Sequence, residues 1–498
     1  MATNLHTRLQ VPLLGFMAGA AVSDINIAST ALVDASRGLG ISEALLPIAS
    51  SSMSILLAAT VVSGGLVADR LGRRRVLMAA LLLGAVADVV TACSVSPWMY
   101  IFARAIVGVS LGIVFTASFT MVRAVSSRAT LGASLGIFGA VSGLSMMISS
   151  FVGGSLATAQ WRASFLVVPA LFMAAFVLVP RLLPVIPRVG SGPLDITGQV
   201  LLAVGVVGLL YGVSRLTASI TSPWTYGPIL VGIGGLIAFY FWEKRTPHPF
   251  FPADLLRNRI FLACVLMSIG VNMSNSVLVL QLANLWQYVR RMDTVQVAFA
   301  QLPALAMGVV ASYLAGRALA RGFAERRVGV LGFGLVFVGF GVLALYRVGA
   351  SFWFFLPALI LVGGGTQVIN VPFGSLLMNV APQDFIGPVT ASRSSIGSFA
   401  NALGMAGSSV LIARFTRADL LHQLGLGDAP SISTPQALDA VTVYIRSGAI
   451  PKSDVARHVL TLAGESYSHA FASTMGIFAV AIAVAGLTVT WLLRQRQG

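Results

Sequence analysis

The sequence predicts an all-α integral membrane protein, and three observations carry the prediction. Hydrophobic residues make up 57% of the 498 positions and charged residues only 10%, against roughly a quarter charged in soluble domains. Apolar runs of about 18–25 residues recur along nearly the whole chain, each long enough to cross a hydrocarbon layer of roughly 30 Å as a helix. None alternates residue by residue as the strands of a membrane barrel do. In order, the spans read 11–33, 47–68, 76–95, 99–121, 132–156, 164–180, 196–214, 226–242, 260–288, 295–316, 327–347, 352–378, 387–413 and 471–493, fourteen in all. The first is too long for the apolar core of a signal peptide and leads straight into a second span, so it reads as a retained helix.

A formal charge of +16 would suggest nucleic-acid binding in a soluble protein, but the placement of the charge excludes that reading. With the N-terminus inside, sixteen basic residues fall in inner loops, among them Arg70, Arg73, Arg74, Arg75, Arg123 and Arg181. Short outer loops hold six: Arg37, Arg162, Arg215, Arg290, Arg291 and Arg347. This is the asymmetry of the positive-inside rule, and an even number of spans returns the C-terminus to the cytoplasm. A multi-pass protein of the cell (inner or plasma) membrane, with both termini cytoplasmic and no nucleic-acid partner, is expected. Cys93 and Cys264 lie in different spans, and the five histidines lie outside the spans without ligand spacing. No disulfide framework, metal site or cofactor is expected.

Six spans precede Pro180, and residues 181–193 then carry five prolines or glycines, as a linker does. Two spans follow, then a polar link from Glu243 to Arg259, then six more. The expected units are 1–180, a linker and helix pair over 181–259, and 260–498 with a polar outer loop over 414–470. Thr434-Pro435 and Ser453 read as caps of two short amphipathic helices in that loop. Between the second and third spans, residues 65–77 read Gly-Leu-Val-Ala-Asp-Arg-Leu-Gly-Arg-Arg-Arg-Val-Leu. Gly65 and Gly72 permit close approach of two helix ends, Asp69 is placed to accept bonds from a helix N-terminus, and Arg70 and Arg73 stay at the basic face.

That string resembles the loop 2–3 signature of the major facilitator superfamily. The six-two-six arrangement resembles its fourteen-helix drug:proton antiporter branch, with two pseudo-symmetric six-helix bundles and an inserted helix pair. Trp161-Arg162, Leu194-Asp195-Ile196-Thr197-Gly198, Gln301-Leu302-Pro303 and Gly316-Arg317 are similar to strings of that branch at helices 6, 7 and 10 and at the second copy of the loop. The branch's helix 5 signature has a Gly-Pro pair before Gly-Gly. Here the stretch reads Ser149-Ser150-Phe151-Val152-Gly153-Gly154, without the proline.

Only two carboxylates lie deep in spans, Asp24 and Asp88. Each costs several kcal/mol to bury as an unpaired charge, so each is a functional candidate. Arg104, in the fourth span, aligns with the arginine that the resemblance places in helix 4. Counted inward at 1.5 Å per residue, the three lie roughly 8–14 Å deep and belong to one polar cluster. Asp24 is expected in a wetted crevice where it gains and loses a proton, with Arg104 tuning it. Ser268, Asn272 and Asn275 fall at helical spacing on one face of the ninth span and are expected to line the substrate cavity, with Gln367, Asn370 and Trp286.

The leading reading is a secondary active exporter, not an enzyme, which moves lipophilic or cationic small molecules in exchange for protons by alternating access. It is expected to work as a monomer among membrane lipids. A second reading keeps the fold but moves a lipid or secondary metabolite with weak or no proton coupling. A third is a non-transporting membrane sensor. No Walker motif or convergent nucleophile-and-base set is found in the sequence.

Overall fold

In the computed structural model the chain is almost wholly helical, as a backbone in lipid must be to satisfy its own polar groups. The structure describes residues 2–42, 45–127, 130–186, 195–215, 223–246, 255, 257–292, 294–381, 386–426 and 454–494. The helices are α1 (Ala2–Leu39), α2 (Leu46–Leu71), α3 (Arg73–Ala92), α4 (Pro97–Val125), α5 (Leu131–Ala159), the single turn α6 (Trp161–Ser164), α7 (Val167–Leu182), α8 (Ile196–Arg215) and α9 (Pro223–Arg245). They continue as α10 (Arg259–Tyr288), α11 (Thr294–Ala320), α12 (Glu325–Ala344), α13 (Phe355–Val380), α14 (Ile386–Leu426) and α15 (Asp454–Arg494).

Among the described residues, twelve helical stretches are long and apolar enough to cross a membrane. Two shorter apolar ones, Ile48–Val61 in α2 and Thr197–Val213 in α8, complete the fourteen. Large apolar side chains such as Leu230, Leu331, Val480 and Leu487 face outward, the surface that lipid rather than water solvates. Two of the helix starts carry a side-chain cap. Ser96 accepts a bond from the Met99 amide ahead of Pro97, and Asn258 Oδ1 accepts one from the Ile260 amide, in the manner of N-cap side chains.

Two large apolar cores form, with a smaller third around Tyr100, Ile101 and Phe165. Leu14, Leu77, Leu111, Phe138 and Phe172 belong to one, built mainly by α1–α5 and α7 and joined by Ala311, Val368 and Val371 of the second group. Phe261, Phe340, Phe355, Phe471 and Trp286 belong to the other, built by α10–α15. The inserted pair α8 and α9 pack on each other, and α8 also touches α2 and α14, one from each group. The two groups meet through α5 against α11, α2 against α14, α5 against α13, and α4 against α14.

One expectation is corrected. Of the supposed outer loop 414–470, residues 414–426 continue α14 without a break and 454–470 open α15. The sequence reads as two short amphipathic helices in this stretch rather than as extensions of the long ones, but helices that run past the hydrocarbon layer keep the same backbone bonds in water. Thr434 and Ser453 lie outside the described residues.

Candidate functional site

Asp24 on α1, Asp88 on α3 and Arg104 on α4 converge as the depth count predicts. Arg104 grips Asp24 with both ends of its guanidinium, Nη2 donating to Oδ2 at 2.6 Å and Nη1 to Oδ1 at 3.3 Å. The same Nη1 donates to Asp88 Oδ1 at 2.8 Å. Phe165 lies 5.1 Å from the guanidinium carbon, within cation–π range. Tyr100, buried among the same aromatics, stacks edge-on against Phe165. The sulfur of Met53 also touches Nη2. One cation therefore serves two carboxyls, and Asp88 Oδ2 is buried without a hydrogen-bond partner.

This geometry corrects the expected wetting of Asp24. The residue is 0% exposed, Asp88 likewise, and Arg104 1%. Spacing places Asp24 on a helix but not on a face, and the bidentate pair turns it away from the solvent-reached side. Its neighbours Ala21, Val22 and Ile25 do reach that side, because they line a cavity of about 290 Å³ between the two helix groups.

The two walls of that cavity differ in kind. Leu57, Leu111 and Phe115 complete an apolar wall with the three α1 residues. The facing wall carries Asn272 and Asn275 from α10, Thr366, Gln367 and Asn370 from α13, and Arg393, Ser398 and Asn401 from α14. Asn370 Nδ2 donates to Gln367 Oε1 at 3.2 Å, and its Oδ1 accepts from Arg393 Nη2 at 2.7 Å. Four of the residues expected here, Asn272, Asn275, Gln367 and Asn370, thus share one cavity. Ser268 and Trp286 do not. Ser268 is fully buried one turn below Asn272, whose side chain bonds its carbonyl. Trp286 is sealed against Phe352 and Phe355 in the second core. Sequence reasoning passed over Asn401 and Ser398, although Arg393, Gly397 and Asn401 at spacing of four mark one helical face.

The helix 5 residues bind α1 to α5. Ser149 is buried. Ser150 Oγ accepts a bond from Asn26 Nδ2 at 3.1 Å. A Cβ on Gly153 would run into the Ile27 side chain, whereas Gly154 faces open space. Close approach is therefore achieved without a proline. At the α2–α3 turn, Gly72 adopts φ 101° and ψ 117°, a conformation that L side chains rarely adopt. Gly65 is buried within α2, Arg73 is buried, and Arg70 is half-buried. The neighbouring Arg74 donates to the Pro180 carbonyl of α7 at 2.8 Å. The Asp69 side chain lies outside the described residues. Because a Cβ at Gly72 meets nothing within 4 Å, Gly72→Ala should lower stability by the backbone strain alone, about 1–3 kcal/mol. Thermal unfolding followed by tryptophan fluorescence checks this, and an unchanged midpoint contradicts it.

Comparison with known proteins agrees with this architecture. The family described as Major Facilitator Superfamily matches residues 14–405. The puromycin resistance protein pur8 of Streptomyces alboniger is 26% identical over 438 residues, 85% of each chain. The multidrug efflux pump LfrA of Mycolicibacterium smegmatis is 23% identical over 445 residues, covering 88% of this chain and 86% of the relative. Among solved structures, the human organic anion transporter MFSD10 superposes with a TM-score of 0.59 at 15% identity, covering 98% of each chain. At that identity the likeness shows the fold alone.

Proposed function

The chain belongs to the Major Facilitator Superfamily, a family of transporters rather than enzymes, and on that footing we propose that it is a secondary active exporter. It carries lipophilic small molecules in exchange for protons by alternating access to the cavity between its two helix groups. The relatives named for puromycin resistance and multidrug efflux support export. We place the protein in the plasma membrane as a monomer, with both termini and the basic α2–α3 turn on the cytoplasmic side. The functional units are 1–180, 181–259 and 260–498.

The observation that carries the exchange reading is one guanidinium shared by two sealed carboxyls directly behind the apolar wall. Two carboxylates and one arginine leave a single negative charge to be balanced in a low-dielectric site, where an unpaired charge is expensive. One proton balances it, and Asp88 Oδ2 is a bare oxygen on which to hold it. Asp24 shares α1 with Ala21, Val22 and Ile25 of the cavity wall. A substrate pressing on that wall therefore shifts Asp24 relative to Arg104, and the carboxyl pair gives up its proton to the medium as the substrate is taken up.

The test uses the full chain in acid-loaded proteoliposomes with an internal pH dye and a panel of uncharged naphthyl and phenylalkyl carboxamides. Such probes carry no protons by passive diffusion. Added outside, they should release protons through the wild type, and Asp24→Asn should slow that release about tenfold or more, the scale of a lost coupling energy. Asn401→Trp, which fills the cavity, should stop it. Release at the wild-type rate through Asp24→Asn refutes the exchange site, and undiminished release through Asn401→Trp refutes the cavity as the route.

A further inference from the structure

We infer that the cavity selects amphipathic anions, taking the apolar body against the α1, α2 and α4 wall and a carboxylate or similar acidic head on Arg393. The inference deepens the transport reading and rests on the cavity being the transport site.

Its basis is an inventory of charge. Among the described residues that line the cavity, Arg393 is the one ionisable side chain. No described carboxylate pairs with it. Its Nη2 is engaged by a neutral amide, Asn370 Oδ1, and its Nη1 is buried with no acceptor. The guanidinium carbon lies 4.1 Å from the centre of the Phe119 ring and 5.2 Å from that of Phe373. These contacts hold the guanidinium plane in place but supply no negative charge. A half-buried guanidinium on the cavity wall with its buried Nη1 unanswered is an incomplete site, and the group that completes it best is an anionic oxygen pair, which matches the guanidinium fork.

The same inventory argues against a cationic head. The acids that could have received one, Asp24 and Asp88, are consumed by Arg104 and closed off from the cavity. An ammonium group entering the cavity meets a fixed like charge and only neutral amides and hydroxyls. The amides have a role in the anionic case too, because Asn275 and Asn401 each bring an N–H₂ donor to the wall that carries Arg393. The opposite wall offers no polar side chain, so an occupant polar all round would leave its outer groups unpaired there.

The experiment measures equilibrium binding by calorimetry to the full-length protein in zwitterionic nanodiscs, with empty nanodiscs subtracted. Three probes of one apolar body are used: 2-naphthaleneacetate, 2-naphthaleneacetamide and 2-(2-naphthyl)ethylammonium. The wild type should bind the carboxylate about tenfold or more tighter than the ammonium. Arg393→Gln should weaken the carboxylate about thirtyfold, as expected for deleting one member of a desolvated charge pair, and leave the amide within about threefold. Arg393→Lys should restore part of the loss.

A wild type that binds the ammonium as well as the carboxylate overturns the assignment, and this holds even where the glutamine variant fails to fold. Equal weakening of all three probes by Arg393→Gln also overturns it, since that is the mark of a brace between Phe119 and Phe373. Binding needs no gradient, so a failure of proton exchange does not touch the result.

Discussion

Arg104→Met is expected to abolish substrate-driven proton release and to destabilise the protein by about 3–5 kcal/mol, the usual cost of removing one partner from a buried ion pair. The residue ties three helices together, holding Asp24 of α1 through two bonds and Asp88 of α3 through one. Without it the two carboxyls face each other in a site from which water is excluded. The sign of the effect depends on what remains. A triple variant, Arg104→Met with Asp24→Asn and Asp88→Asn, removes every charge at once and should regain most of the stability, because well-packed neutral groups often replace a buried ionic cluster at little cost. It should regain none of the proton release. Thermal unfolding of the purified chain and the pH-dye assay read the two quantities separately. If Arg104→Met unfolds at the wild-type temperature, the ion cluster does not hold the first helix group together. If the triple variant releases protons, the exchange chemistry lies elsewhere.

The cluster was legible in the sequence to the level of depth but not of facing. Lipid imposes a length on every span, so counting from span ends places Asp24, Asp88 and Arg104 in one layer. Which side of α1 carries Asp24 is decided by Arg104 approaching from α4, a contact eighty residues away. The six-two-six order and nearly all span limits were readable for the same reason, since hydrocarbon thickness is a constraint on local sequence alone. The continuation of α14 over 414–426 was not, because past the membrane surface composition no longer reports backbone state. Trp286 shows the same limit in the cavity. An aromatic near a helix end fits a cavity wall or a sealed core equally well, and Phe352 and Phe355 decide for the core. Arg393 was visible as a residue, but its stacking on Phe119 crosses from one helix group to the other. That contact has no local signature.

Gly136→Val is expected to open the end of the molecule that carries the basic α2–α3 turn. There α5 and α11 pass almost backbone to backbone. A Cβ on Gly136 would lie 2.6 Å from the Gly316 Cα and 2.9 Å from the Ser312 carbonyl oxygen. Ser312 Oγ also donates to the Gly136 carbonyl at 3.2 Å. Gly132, Gly136, Gly139 and Gly143, spaced by four, three and four, keep that face of α5 flat against Leu319, Gly316, Ser312 and Val309. The neighbouring contact of Gly374 on α13 with Phe119 and Leu135 closes the same end beside Arg393. Backbone atoms cannot yield as a side-chain tip does, so the added volume must separate the helices, and overpacking of this kind costs about 1–3 kcal/mol. The penalty falls only on conformations in which the two groups touch here. It therefore shifts the balance toward a state open at this end by about five- to 150-fold. Spin labels on Thr130 and Phe323, in a Cys93→Ser background, report the separation by pulsed electron resonance. Gly136→Val should lengthen the dominant distance, whereas Gly154→Val, on the same helix but facing open space, should leave it unchanged. A distribution identical to wild type in the Gly136 variant would show that this glycine contact is not what keeps the end shut.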